Sequence, residues 1–292
     1  MDLVAVETSL KLAIGKQRTV DDVVSPSIVE RLSVTLDSSV VTPRTGDPLP
    51  PGWHTVFCLQ APARGSLGAD GLPASFDQIP PIQMQRRMFG GARLTFHRPL
   101  IVGEMIQCES AVSDVKVRTS PSSHMAIVTL RHSYSGASGI AVTEEQDIIY
   151  LEPLGIEGEK PASVPAPMPV PTSVRHVTPD PIMLFRFSAL TFNSHRIHYD
   201  APYSVEVEKL PGLMVQGKLI ALQLLETVRA SAPAAQPQSF EYRSGRALFA
   251  NAAFSLSVSL DATGRAARLW ASDAKGRTVQ NASMIFAKPV VN

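Results

Sequence analysis

Apolar and polar positions along this chain follow first a helical and then a strand pattern, and they do so twice. Over residues 25–37, Ile28, Val29, Leu32 and Leu36 recur at three- and four-residue steps, the stripe of an amphipathic helix. Ser25 stands where a cap is expected, and Pro26 suits the first helical position. A section rich in proline and glycine follows over 43–81, broken by the apolar insert 53–59. Residues 92–97, 105–117, 124–135 and 140–151 then read as strands, with turns at Arg98-Pro99, Ser120-Pro121 and Ser135-Gly136.

The order repeats in the second half. A helix is expected over 181–191, capped by Asp180. A second, longer one is expected over 218–229 after Gly217, with Leu219, Ile220, Leu222, Leu224, Leu225 and Val228 mostly buried. Strands are expected over 238–248, 253–260, 266–272 and 278–287, with hairpin chemistry at Ala262-Thr263-Gly264 and Lys275-Gly276. A helix followed by an antiparallel meander, twice over, predicts an α+β protein rather than a parallel α/β fold. Between the halves lie Pro153, Pro161, Pro165, Pro167, Pro169, Pro171, Pro179 and Pro181. Proline at that density blocks helix and ladder alike, so 153–180 is expected to be an extended linker between folded units at 1–152 and 181–292.

Composition narrows the function classes. Of the 292 residues, 44% are hydrophobic and 18% charged, which is enough apolar material for packed cores. The net charge is +1 and the 27 basic residues are scattered, so there is no basic stripe for nucleic acid. Cys58 and Cys108 sit in apolar surroundings without ligand spacing, and are expected to be buried free thiols in a reducing compartment. The first residues lack a basic stretch followed by an apolar core, so no signal peptide is expected. No apolar run approaches the ~18 residues that span a bilayer. A cytoplasmic protein is the expectation. Glycine-rich nucleotide loops and a Gly-x-Ser-x-Gly nucleophile turn are both missing.

The candidate chemistry concentrates in eight residues. Asn193, His195, Arg196, His198 and Asp200 crowd the edge of an apolar segment. Three readings fit that cluster. The histidines can cap backbone groups. His195, His198 and Asp200 can share a metal, although a further protein ligand is not obvious. Or the loop is catalytic, with Asn193 holding a water through its amide oxygen and a neutral imidazole taking the proton. A second element is PGLMVQGKLIA, residues 211–221, where Gly217 stands at the start of the long helix. It is either a plain helix start or a place where free N–H groups and the helix dipole meet a developing oxyanion. A base beside such a donor suits the addition of water to an α,β-unsaturated thioester.

The segment FRFSALTFNSHRIHYD, residues 185–200, resembles the signature of the MaoC-like, double-hotdog (R)-type enoyl-thioester hydratases, the hydratase-2 group. GDPLPPGWH at 46–54 and RRMFGGARLTFHRPL at 86–100 are similar to the N-terminal half of the branch that holds 3-methylfumaryl-CoA (mesaconyl-C4-CoA) hydratases and mitochondrial hydroxyacyl-thioester dehydratases. The resemblance implies two hotdogs, each a long helix wrapped by an antiparallel sheet, with the active site in the C-terminal half. It implies that His198 is the catalytic acid/base and that Gly217 supplies the oxyanion N–H. Asn193 falls where many hydratase-2 enzymes have an aspartate, so proton transfer rests on His198, with Asp200 helping to orient it. Gln216 stands where the branch usually has histidine. The implied substrate is an acyl-CoA thioester with no other cofactor and no metal. A C5 dicarboxylic acyl group, mesaconyl-C4 or itaconyl, would give citramalyl-CoA and would need a cation for its carboxylate. Arg196 is the first candidate, followed by Arg86, Arg87 and Arg246, with His195 and Gln216 also lining the substrate. A plain 3-hydroxyacyl-thioester dehydratase is the second reading. A non-catalytic acyl-CoA-binding hotdog, favoured by Asn193 alone, is the third. By analogy with sheets that pair edge to edge, a homodimer is expected, with no nucleic-acid or membrane partner.

Overall fold

The computed structural model describes residues 3–39, 42–73, 78–82, 84, 86–120, 123–153 and 168–290. Ten strands form one antiparallel sheet. The first half contributes β1 (Gln17–Val23), β2 (Arg86–Phe96), β3 (Met105–Ser120), β4 (Ser123–Gly136) and β5 (Gly139–Pro153). The second contributes β6 (Ser173–Val177), β7 (Pro237–Ser244), β8 (Phe254–Leu260), β9 (Ala266–Asp273) and β10 (Thr278–Phe286). Their spatial order is β1-β3-β4-β5-β2-β7-β10-β9-β8-β6, so each half is a block of five strands and the blocks meet where β2 pairs with β7. At that seam Gly91 (φ +150°) lies opposite Arg243, and a Cβ there would collide with the Tyr242 carbonyl oxygen. Only glycine lets the two blocks approach so closely.

Among the described residues, four α-helices accompany the sheet: α1 (Leu3–Lys11), α2 (Pro26–Thr35), α3 (Pro181–Leu190) and α4 (Gly217–Ser231). α4 is buried along nearly its whole length, from Leu219 to Val228. Its leucines join Trp53, Phe57, Phe240 and Phe286 in a core that runs through both halves. Each such side chain contributes about 1.5–3 kcal/mol relative to exposure. A smaller core packs Leu10 and Ala13 against Val112, Val128 and Leu130.

The strands expected from the pattern all form, though β2 begins six residues before its expected start and β7 stops four residues before its expected end, and Asp180 Oδ1 caps α3 by accepting from Met183 N–H at 2.7 Å. Several expectations need correction. The two long helices are unequal: among the described residues α4 alone exceeds ten residues, and the first half has none of that length. In its place the 53–56 turn lies against α4, with Trp53 Nε1 donating to Glu226 at 2.9 Å. Ser25 does not cap α2; its hydroxyl lies 3.0 Å from that of Ser27. Residues 154–167 of the expected linker lie outside the described residues, as does Pro121 of the expected turn. Within the rest of that linker, 173–177 is not free of pairing: it forms β6 against β8. The stretch is free of proline and sits at the sheet's outer edge, where one unpaired side is tolerated. α1 and β1 were not expected at all. Both cysteines are free and buried, and burial pushes the Cys58 and Cys108 thiols up to about 12 and 11.

Candidate active site

The polar loop begins where α3 ends. Asn193 N–H closes onto Ser188 O at 2.8 Å, and Asn193 Oδ1 accepts His195 N–H at 3.1 Å. One lone pair of the amide oxygen thus shapes the loop itself. A short turn, Arg196–His198, then swings Ile197 and His198 inward, leaving His198 buried. His198 Nδ1 lies 2.7 Å from Met214 O. A carbonyl can only accept, so Nδ1 carries the proton and the lone pair is on Nε2. Met214 N–H donates back to Ile197 O at 2.9 Å, which pins the histidine turn to the strand-like segment before α4. Burial pushes the His198 imidazole down to about 4; the Met214 carbonyl opposes this and His195, its ring 5.4 Å away, adds to it. His195 is lowered too, chiefly by burial. At neutral pH His198 is a neutral imidazole with a fixed tautomer, the form that takes a proton.

Three residues after Met214, Gly217 opens α4. As the first helical residue its N–H has no intrahelical acceptor, and the helix dipole is positive there. Gln280 Nε2 donates to Gly217 O at 2.9 Å. Gln216 Nε2 donates to Leu184 O at 3.0 Å and Ser188 Oγ at 2.9 Å, so this residue ties α3 to the head of α4. Its expected role in lining the substrate is replaced by a bracing one for that nitrogen. Gln216 Oε1, Ser244 Oγ and Gln280 Oε1 are buried without a partner among the described residues. Ser244 and Gln280 lie against Gly217, so they offer polar atoms beside its N–H.

Two expected roles give way to others. Arg196 directs Nε and Nη2 to Asp200 Oδ2 at 2.9 and 2.8 Å, gives Nη1 to Ala69 O at 2.9 Å, and stacks 3.9 Å over the Tyr203 ring. Each of its three nitrogens is already engaged within the protein, which turns the guanidinium toward Asp200 and Ala69 rather than toward a substrate carboxylate. Asp200 accepts Tyr203 N–H on its other oxygen at 3.1 Å. The Tyr203 N–H and then Arg196 hold its carboxyl below the usual range. His198 Nδ1 is turned to Met214, so Asp200 does not orient that ring. Both residues build the loop instead. They are joined by a clamp from the first half: Ser194 Oγ donates to Gly71 O at 2.5 Å and Arg196 N–H to Asp70 O at 2.8 Å. Gly71 sits at φ +85° with the Ser194 carbonyl against the place of a Cβ, so no other residue fits.

The remaining cations are spread out. Arg87 Nη1 donates to Pro73 O at 2.9 Å, and its charge reaches His195. Arg86 is exposed at the start of β2. Arg246 is exposed in the loop after β7, near Leu248, whose carbonyl accepts Val215 N–H at 2.9 Å. Among the described residues, no three His, Cys, Asp or Glu side chains are placed to hold a metal ion, which weighs against a metal site at His195, His198 and Asp200.

Sequence reasoning missed a buried charge cluster beside Gly217. Glu144 faces inward from β5, accepting Gln146 Nε2 at 2.9 Å and lying 3.1 Å from His54 Nε2. Burial alone would raise its carboxyl, but Lys218 and His54 outweigh that and hold it well below the usual range. A signal was present: alternation puts Glu144 in phase with core residue Val142, and an acid in the inner phase of a strand demands a partner.

An antiparallel sheet around one buried helix, with a neutral imidazole held at the helix head, defines a hotdog-type dehydratase architecture. A crystallised MaoC-like dehydratase from Phytophthora capsici shares it, with a TM-score of 0.72 over 99% of both chains at 12% identity. The chain belongs to the hydroxyacyl-thioester dehydratase type 2 family, whose pattern matches residues 52–250. It is 39% identical to the mesaconyl-C(4)-CoA hydratase of Chloroflexus aurantiacus over 83% of this chain and 86% of that protein. It is 26% identical to the mitochondrial hydroxyacyl-thioester dehydratase type 2 of Schizosaccharomyces pombe, over 77% and 81%.

Proposed function

We propose that this hydro-lyase adds water across the double bond of a C5 dicarboxylic acyl-CoA, mesaconyl-C4-CoA or its isomer itaconyl-CoA, giving citramalyl-CoA. The observation that carries the chemistry is the pinned, neutral His198, with Nδ1 on Met214 O and Gly217 three residues further on. His198 Nε2 takes a proton from water as the oxygen bonds to the β-carbon. In mesaconyl-C4-CoA, whose double bond is conjugated with the thioester, the π electrons shift toward the thioester, whose oxygen becomes an enolate; itaconyl-CoA, with its double bond between the β- and γ-carbons, enters this step only after a proton is removed from its α-carbon and one is added at its γ-carbon to give mesaconyl-C4-CoA. Gly217 N–H and the α4 dipole stabilise that charge, a contribution of about 3 kcal/mol for one good donor. The imidazolium then returns the proton to the α-carbon, so the elements of one water are added and the base is regenerated. Asn193, through its remaining lone pair and its amide N–H groups, orients the water. The identity to the Chloroflexus protein supports the dicarboxylic substrate.

The same reading takes 1–152 and 181–292 as two hotdog units joined by 153–180, uses no cofactor beyond the substrate's own coenzyme A, and fits a cytoplasmic homodimer. No helix among the described residues is long and apolar enough to cross a membrane. The likeness to the Schizosaccharomyces protein favours a second reading, dehydration of plain 3-hydroxyacyl thioesters. Mixing purified protein with mesaconyl-C4-CoA, itaconyl-CoA and crotonyl-CoA separates the two. Loss of conjugated-thioester absorbance is expected with mesaconyl-C4-CoA, and a product one water heavier with either dicarboxylic thioester. Turnover of crotonyl-CoA alone would replace the first reading by the second.

A further inference from the structure

Lys218 is the second residue of α4, one peptide beyond Gly217. Its ammonium lies 3.4 Å from Thr55 Oγ1 and 3.9 Å from Glu144 Oε1. Only the first of these is within hydrogen-bond reach, and an ammonium has three donors. Its side chain is 28% exposed, whereas those of Glu144 and His54 are 3% and 2%. Glu144 takes its hydrogen bonds from Gln146 and His54, and so holds the Lys218 ammonium by charge, leaving donors open among the described residues.

Lys218, His54, Thr55 and Glu144 line a cavity with about 20 Å³ of free space. That suits a small polar group and not an acyl chain. The Phe89 ring lies close to both Lys218 and Gly217. Lys218 Nζ is 5.7 Å from its centroid, and its Cδ1 is 3.8 Å from where a Cβ on Gly217 would stand. Past His54 and Leu225 opens a pocket of about 630 Å³ with mostly apolar walls. Gly52, His54 and Leu225 border both spaces, so the charged cluster stands beside room that would take a hydrocarbon chain.

We propose that Lys218, held by Glu144 and flanked by His54 and Thr55, receives the substrate's free carboxylate and selects dicarboxylic over plain acyl thioesters. This stands on the hydratase reading above. In mesaconyl-C4-CoA the free carboxylate is carried by the β-carbon, the carbon that water attacks. With the thioester oxygen at Gly217 N–H, a cation on the next residue meets that carboxylate within the length of the acyl group. A crotonyl group would set a methyl against the ammonium and offer no acceptor to its open donors, which disfavours the plain acyl thioester. The engagement of all three Arg196 nitrogens by Asp200 and Ala69 weighs against the rival first suggested by sequence.

The test compares kcat/KM for mesaconyl-C4-CoA with that for crotonyl-CoA in the wild type, Lys218→Met, Lys218→Arg and the double variant Lys218→Met/Glu144→Gln. The double variant removes both charges, so no buried carboxylate is left unpaired if the single one folds poorly. The ratio is expected to fall about 10- to 100-fold in both Met variants, as for a lost charged hydrogen bond, and to be partly retained by arginine. A merely structural lysine would lower both substrates in parallel, and a folded double variant with the wild-type ratio would overturn the assignment while leaving the hydratase reading intact. A wild type with no preference for the dicarboxylic thioester would remove the reading and the assignment together.

Discussion

Lowering the pH probes the burial of His198 most sharply. Its imidazole is pushed down to about 4 in the folded protein, against roughly 6.5 in an unfolded chain. Between those values the unfolded chain binds the extra proton, so stability is complete above about pH 6.5 and is lost as pH falls through about 4. A gap of about 2.5 units corresponds to roughly 3 kcal/mol. His132, likewise pushed down to about 4 by burial, loses stability over the same window and in the same direction. Two such groups approach the whole stability of an ordinary domain, so acid unfolding should set in between pH 4 and 6. Catalysis has its own signature. At pH 5.5 a group titrating at 4 is still about 97% neutral, whereas one at 6.5 is only about 9% neutral. The kcat/KM of folded enzyme should therefore stay flat from pH 7 to 5.5. Histidine-resolved NMR titration, with urea unfolding at each pH, measures both effects. A His198 resonance titrating near 6.5, or activity falling about tenfold by pH 5.5, would refute the reasoning.

Further consequences follow from particular contacts. Gly217→Ala places a Cβ 3.0 Å from Ser244 Oγ, where the substrate oxygen would sit. A fall in kcat of about tenfold or more is expected with near-native circular dichroism, and unchanged kcat would separate Gly217 from the oxyanion. Asp200→Asn unclamps Arg196 and Tyr203 N–H, so the thermal midpoint should drop while kcat changes less than about tenfold; a loss as large as that of His198→Ala would return Asp200 to the chemistry. Leu224 is fully buried in α4, and Leu224→Ala should cost about 2–5 kcal/mol in urea unfolding, with a cost under about 1 kcal/mol contradicting its place in the core.

The elements read best from sequence are those whose local chemistry agrees with their surroundings. Asp180 before Pro181 marks the start of α3, and the Leu219–Val228 stripe marks α4, because capping and periodicity act within a few residues. The Asn193–Asp200 cluster marked the site, yet the roles within it depended on distant partners. Arg196 looked free because the carbonyls that engage it, at Ala69 and Asp70, lie more than a hundred residues upstream, and Asp200 is in turn taken up by Arg196 and Tyr203 N–H. The first half's missing long helix has a similar cause: α4 of the second half fills the shared core, and the 53–56 turn needs only to cover it. β1 escaped notice because it is an edge strand whose exposed positions include Gln17, Thr19 and Asp21 and whose half-buried positions include Arg18 and Asp22 beside Val20, so no apolar alternation marks it. Lys218 was in view beside Gly217 but gained meaning only once Glu144 was seen behind it.

The central claim, that His198 moves the proton in a thioester hydration, is tested most directly by kcat of His198→Ala on mesaconyl-C4-CoA beside the wild type, with folding checked by circular dichroism. Loss of a general acid/base predicts a fall of at least ~10²-fold. A folded variant whose kcat stays within a few-fold of wild type would contradict the account.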